Sequence, residues 1–227
     1  MKDLFKIFGI EPKTENLYKN ALTHPSYTQE HNIKYTECYE RLEFLGDAVL
    51  KLTISDVLYK KYPEANEGEL SKIRSIVVSD NTLAKIAKSN GLQQLIILSR
   101  HDEKQGCREL NSVCACAYEA VLGAYYLDGK LPEITEYIEK TFNSYIEDVK
   151  NNFIKFNAKA ILQEYTQDKT KTRPQYNVVN EIGPQHRKEF EVEVCYEGKI
   201  LATEKGLSKK DAEQKAAYSA CIKLGII

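Results

Sequence analysis

The period of the hydrophobic pattern changes once along the chain, after Asn151, and this change limits the possible folds more than any other feature. Before it, apolar residues recur at three- and four-residue spacing, as in Leu83, Ile86 and Ala87 or Ile134, Tyr137 and Ile138. That is the spacing of amphipathic helices. Ser79 or Asp80 is placed to cap a helix starting near Asn81, Asn90-Gly91 reads as its stop, and Pro63 and Pro132 mark a turn and a helix start. The stretch 101–109 is polar, contains Gly106 and reads as a loop. After Asn151 the period shortens to two. Residues 175–181, 188–196 and 199–204 alternate and are rich in Val, Phe and Tyr, as strands are. Residues 158–167 precede them as a short helix, Glu197-Gly198 forms a hairpin turn, and residues 208–224 follow as a helix capped by Ser208. The expected organisation is a helical domain over residues 1–150 and an α-β-β-β-α domain over 156–227. A short polar linker near 150–157, of ambiguous helix propensity, joins them.

A chain of 227 residues with 42% hydrophobic content can bury an ordinary core in each part. No apolar run approaches the roughly 20 residues that span a bilayer, so no membrane helix is expected. Residues 1–10 are short, helix-like and without a cleavage signature, so a secretory leader is not expected and the chain reads as cytoplasmic. Six cysteines form no C-x-x-C pair, and Cys114 and Cys116 point different ways on a helix. Free thiols in a reducing compartment are expected rather than a zinc site. The net charge of −1 hides an asymmetry: from Phe156 onward there are 12 Lys/Arg against 10 Asp/Glu, so the C-terminal part is the more basic.

The segment Glu40-Arg41-Leu42-Glu43-Phe44-Leu45-Gly46-Asp47-Ala48-Val49-Leu50 carries the sharpest pattern. At about 100° per residue, with Glu40 at zero, Glu43 falls near −60° and Asp47 near −20°. Leu42, Leu45, Val49 and Leu52 fall between about 120° and 200°. Three carboxylates therefore share a face opposite an apolar one, with few basic partners at i,i+4. Gly46 sits inside the helix, where it costs about 1 kcal/mol relative to Ala, so a close approach is expected there. A hard divalent cation with oxygen ligands suits such a stripe; a plain solvated face is the alternative. Residues 111–127 form a second helix with Val113, Ala117, Ala120, Val121 and Ala124 on a broad apolar face. Glu119 lies on the other side, with Gly123 one turn on. A carboxylate among small apolar neighbours needs a cation or a hydrogen-bond partner.

The run E-R-L-E-F-L-G-D-A-V-L at 40–50 resembles the signature of the bacterial ribonuclease III family. Ala21-Leu22-Thr23-His24-Pro25-Ser26-Tyr27 and Tyr118-Glu119-Ala120-Val121-Leu122-Gly123-Ala124 support it, and the resemblance covers essentially the whole chain. It implies an all-helical endonuclease domain followed by an α-β-β-β-α double-stranded-RNA-binding domain. It implies Mg²⁺, with Mn²⁺ as an alternative, between the two helices. By motif position Glu43, Asp47 and Glu119 are the metal residues, Asp47 and Glu119 the catalytic carboxylates, and Glu40 a supporting member. The implied products carry 5′-phosphate and 3′-hydroxyl ends, and the implied work is ribosomal RNA maturation and processing of structured messenger RNA. A homodimer with one centre per subunit is implied, with Phe44 inserted into the partner; an ordinary core position for Phe44 is the alternative. One residue departs from the family pattern. Three residues before Glu119, where the family has aspartate, this chain has Cys116. A thiol is soft and mostly protonated at neutral pH, a poor ligand for Mg²⁺.

Double-stranded RNA is read by shape, through 2′-hydroxyls in two minor grooves and the phosphates between them. Gln163, Glu164 and Gln167 on the first helix, His186 in the loop 183–186, and Lys209 and Lys210 opening the last helix are the candidate contacts, with Lys215 further along. Basic residues at a helix start oppose its dipole, and a phosphate partner accounts for them. Ala160 is not expected to be a contact. The alternatives are a dimeric double-stranded-RNA-binding protein that no longer cuts, kept open by Cys116, and a generic acidic helical protein fused to an RNA-binding module.

Overall fold

Helix α8 (Asn111–Leu127) is apolar nearly all round, and a helix of that kind has to be surrounded. In the computed structural model, which describes residues 2–183 and 188–227, α8 is the centre of the first unit. Its residues from Val113 to Tyr125 are buried except Cys116 and Glu119. The apolar face read from the sequence was therefore too narrow: small and aromatic residues on the remaining sides are covered too. Against α8 pack α2 (Glu15–Leu22), α4 (Glu40–Lys61) and α6 (Asp80–Ser89), and Phe8 of α1 (Lys2–Phe8) and Phe142 of α9 (Leu131–Asn151) meet its Tyr118; α3 (Pro25–Glu30), α5 (Glu67–Val77) and α7 (Arg100–Lys104) complete the unit. The stretch expected as a loop is largely ordered, since α7 and a 3-10 turn (Cys107–Glu109) occupy it, with Gly106 between them at φ +74°.

Helices α4 and α8 meet backbone to backbone. A Cβ on Gly46 would fall 1.7 Å from the Glu119 carbonyl oxygen, and one on Gly123 would fall 2.3 Å from that of Leu42. The close approach inferred from Gly46 is thus real, and Gly123 is its counterpart. The corner between α2 and α3 fixes the start of α4: Tyr39 N–H donates to the Thr23 carbonyl at 2.9 Å, and His24 N–H to that of Ile97 at 2.9 Å. Helix α6 begins at Asp80, near Asn81 as expected. Ser79 holds the N-cap position, but its hydroxyl turns back to the Ile76 carbonyl at 2.8 Å.

By contact density the chain divides into units 1–147 and 148–227. The polar stretch 150–157 is not an irregular linker, because α9 runs to Asn151 and α10 (Phe153–Thr170) starts two residues on. The first turns of α10 are held from α11 (Lys209–Lys223), where Gln214 donates to the Phe156 carbonyl at 2.9 Å and accepts from Lys159 N–H at 3.0 Å. Three antiparallel strands, β1 (Gln175–Ile182), β2 (Glu189–Tyr196) and β3 (Lys199–Gly206), lie in the order β1-β2-β3. Glu197 and Gly198 both take positive φ, 50° and 73°, as a two-residue hairpin turn requires. Val194 joins Ala158 and Leu162 of α10 and Ala216, Ala217, Ala220 and Cys221 of α11 in one buried core. Ser208 caps α11 as expected, accepting from Asp211 N–H at 3.1 Å. Among the described residues no helix is long and apolar enough to cross a membrane.

Candidate active site and RNA-binding surface

The glycine contact decides where the carboxylates point. The buried residues of α4 are Leu42, Gly46, Val49, Leu50, Thr53, Ile54 and Leu58, so its inward face is centred on Gly46. Leu52, placed on the apolar face by spacing, is 69% exposed. The acidic stripe therefore flanks the helix contact instead of opposing it. Glu43 and Asp47 line the same cleft as Glu119 of α8, and Glu40 stands at its edge. Two further residues that sequence reasoning did not assign to the site lie there. Asp80 brings a fifth carboxylate from the start of α6, and Lys51 brings an ammonium. In the sequence Asp80 is only a possible helix cap, and nothing local links α6 to α4. Lys51 was legible, being the i+4 partner of Asp47, and its Nζ donates to Asp47 Oδ2 at 2.7 Å. The cleft has a volume of about 690 Å³.

Burial and crowding of like charges act together there. Burial, followed by repulsion from Asp47, Glu43 and Asp80, pushes the Glu119 carboxyl up to about 8, and Lys51 pulls the other way. Burial also raises Glu43; a hydrogen bond from Cys116 opposes this, while Glu40, Asp80 and Asp47 add to it. The Cys116 thiol is itself raised, first by burial and then by its hydrogen bond to Glu43. It stays protonated and donates. Cys116 thus touches the acidic cluster through Glu43.

Among the described residues no three Asp, Glu, His or Cys side chains are drawn close enough to cage an ion unaided. A hydrated Mg²⁺ does not need such a cage, because it keeps waters and uses one or two carboxylates with substrate phosphate. A donor set of carboxylate oxygens whose mutual repulsion raises Glu119 fits that ion.

Phe44 is 82% exposed, which excludes the core position within the chain. Leu52 and Tyr59 (74% exposed) continue the same outward apolar stripe of α4. A stripe of that kind on a helix marks a contact surface.

In the second unit Gln163 and Gln167 share a face of α10, linked by a hydrogen bond of 3.2 Å, and Glu164 is exposed beside them. Lys209 and Lys210 are exposed in the first turn of α11. Lys209 already has partners, lying 3.1 Å from Glu181 and 5.4 Å from the Phe190 ring centre. Lys215 is turned back onto Asp211 at 2.9 Å and the Lys205 carbonyl at 3.2 Å. His186 lies outside the described residues.

Residues 14–146 match the Ribonuclease-III-like family and residues 158–224 match the double-stranded RNA binding motif. A Ribonuclease 3 of Streptococcus thermophilus is 43% identical over 219 residues, covering 96% of this chain and 95% of the relative. One of Fusobacterium nucleatum is 42% identical, covering 93% and 90%. The solved nuclease domain of ribonuclease III from Campylobacter jejuni, described for flexibility in a region involved in dimer formation, is 37% identical with a TM-score of 0.56. It covers 63% of this chain and 98% of that one. An acidic cleft in a helical unit, followed by a duplex-RNA-binding fold, defines an endoribonuclease acting on double-stranded RNA. With matches of this length in both parts, the chain belongs to the ribonuclease III family.

Proposed function

We propose that this endoribonuclease hydrolyses duplex RNA at the cleft between α4 and α8, with Asp47 and Glu119 as catalytic carboxylates and Glu43, Asp47 and Glu119 holding Mg²⁺ or Mn²⁺. The observation that carries this reading is the convergence of five carboxylates from three helices on one cleft, with Glu119 pushed up to about 8. When bound, the cation supplies Lewis acidity toward the scissile phosphate and makes a bound water more acidic. The Cys116 thiol lowers the cost of ionising Glu43, and Glu40 and Asp80 add negative potential that draws a cation in. Glu119 would have to be ionised to hold the cation, and its raised pKa sets the pH at which it can. Water loses a proton as it adds to phosphorus, the P–O3′ bond breaks and the departing 3′ oxygen takes up a proton, leaving 5′-phosphate and 3′-hydroxyl ends. Residues 1–150 form the nuclease domain and 156–227 the RNA-binding domain. The proposed work, cytoplasmic maturation of ribosomal RNA and processing of structured messenger RNA, follows from the family alone.

The test is long double-stranded RNA incubated with Mg²⁺, with Mn²⁺ and with neither. Cleavage with either metal and none without it is expected. RNA bound but intact in both metals favours the second reading, a non-cutting duplex-RNA-binding protein, for which Cys116 in place of an aspartate is the observation. Cys116→Asp is expected to lower the Mg²⁺ concentration at half-maximal cleavage by about tenfold, the scale of changes beside metal ligands. An unchanged Mg²⁺ profile removes Cys116 from the site.

The protein is proposed to work as a homodimer through the outward stripe of α4. An exposed phenylalanine at the centre of a contact is a typical anchor, and losing one raises a dissociation constant by about 30-fold or more. Sedimentation of Phe44→Ala is expected to show monomer where the wild type is dimeric; equal dimerisation excludes Phe44 as the anchor.

Gln163, Glu164, Gln167, His186, Lys209 and Lys210 are the proposed RNA contacts. Each lysine–phosphate contact contributes about one to the salt dependence of binding. Lys210→Ala is expected to reduce the log–log salt slope by about one. Lys209→Ala is expected to do less, because Lys209 must first leave Glu181. Equal slopes in Lys210→Ala and wild type take Lys210 off the phosphates.

A further inference from the structure

Among the described residues lining the acidic cleft, Lys51 is the single cation, and it faces five carboxylates. It stands one turn after Asp47 on α4, just beyond the E-R-L-E-F-L-G-D-A-V-L run, and no role has yet been given to it. Its Nζ is 2.7 Å from Asp47 Oδ2. Its charge also reaches Glu119, where it opposes the push from Asp47, Glu43 and Asp80. One ammonium therefore acts on both carboxylates assigned to catalysis.

We propose that Lys51 is the resident counter-ion of the cleft, held on Asp47 until a divalent cation displaces it, so that it sets the metal concentration at which the site loads. The inference rests on the metal-site reading above. Oδ2 of Asp47 cannot serve the ammonium and a metal at once. A unit charge near a divalent ion weakens its binding, and at about 8 Å, where a lysine that has swung outward sits, the effect in water is about fivefold without salt and about twofold in physiological salt. The Lys51 side chain is half exposed, at 51%, so it can swing out. Exposed ion pairs of this kind hold weakly, so Lys51 tunes loading without blocking it. A compact ammonium on a flexible stem suits a charge that must come and go.

The same helix supplies a matched control. Lys60 pairs with Asp56 at i,i+4 and 2.6 Å, like Lys51 with Asp47, but it does not line the cleft. Nine residues along a helix is about 13 Å, beyond the screening length in physiological salt.

The test uses the full-length protein without RNA, titrated with Mn²⁺ and followed by calorimetry and by the loss of the free-ion paramagnetic signal. In physiological salt Lys51→Ala is expected to lower the Mn²⁺ dissociation constant about twofold, rising toward about fivefold at low ionic strength. Lys51→Arg is expected to stay near wild type, and Lys60→Ala to match it. Binding by Lys51→Ala that is unchanged or weaker overturns the inference while leaving the metal site intact. Unchanged metal binding with weaker duplex-RNA binding in chelator reassigns Lys51 to the RNA and also overturns it. A wild type that takes up no Mn²⁺ at millimolar concentration overturns the metal-site reading, and the inference with it.

Discussion

Gly46→Ala is expected to lower the melting temperature of the nuclease unit by several degrees and to lower cleavage at saturating Mg²⁺ by about a hundredfold. Two effects of opposite sign meet at this residue. Alanine favours a helix over glycine by about 1 kcal/mol, which alone would stabilise α4. The added Cβ, however, falls 1.7 Å from the Glu119 carbonyl oxygen and 2.5 Å from its carbonyl carbon. These are backbone atoms of the central helix, so no rotamer change relieves the clash. The helices must part by about 1.5 Å to restore van der Waals contact. Overpacking of this kind costs about 1–3 kcal/mol or more, and the parted helices also lose packing along their length. Catalysis suffers independently of stability, because the clash is at Glu119 itself. A displacement of about 1 Å at reacting groups costs on the order of a hundredfold in rate. Thermal unfolding and duplex-RNA cleavage at saturating Mg²⁺ measure both. A variant that melts higher than wild type would show that the helix contact is not the one described. Gly123→Ala, which meets the Leu42 carbonyl oxygen at 2.3 Å, is the same experiment from the other side.

Gly46 also shows what the sequence could and could not give. A glycine where a helix should not want one pointed to a close approach, and the approach is there. Its partner was legible as well: Gly123 stands one turn after Glu119, opposite the broad apolar face of α8, and small residues there let another helix come close. The inward face of α4 was misplaced because hydrophobic spacing weighs side chains, whereas this contact is made by two backbones. That is why Leu52 lies in solvent while the carboxylates flank the seam. Strand positions, the hairpin turn at Glu197-Gly198 and the Ser208 cap were legible because local chemistry fixes them. The start of α10 was not, because Gln214, some 55 residues away, holds it. Asp80 reaches the cleft only through the packing of α6, which no local pattern encodes. The motif placed Glu43, Asp47 and Glu119 near one another, but only the fold shows how strongly they repel.

Burial, with that repulsion added to it, makes Glu119→Gln the sharpest test of the site. In the metal-free protein the Glu119 carboxyl is pushed up to about 8, against an ordinary value of 4.5. Between these two values the folded protein keeps a proton that the unfolded chain has released. Stability must then fall as pH rises through this window, and the loss is complete once pH exceeds the folded value. Glutamine keeps the shape and removes the charge. Metal-free Glu119→Gln is therefore expected to melt with the wild type near pH 4.5 and a few degrees above it at pH 8.5. Mg²⁺ should reverse the order at high pH, because it binds the ionised wild type and not the amide. Cleavage by the variant should fall by about a thousandfold or more, the loss of about 4 kcal/mol of transition-state stabilisation. In the wild type the same proton competes with the metal. The Mg²⁺ requirement should rise by about tenfold for each pH unit below 8. Melting curves that keep the same separation from pH 4.5 to 8.5 would mean that Glu119 is not the group being charged. A gain in metal-free stability at high pH together with lost cleavage would tie both to one carboxylate, destabilising when ionised alone and required when a cation is present.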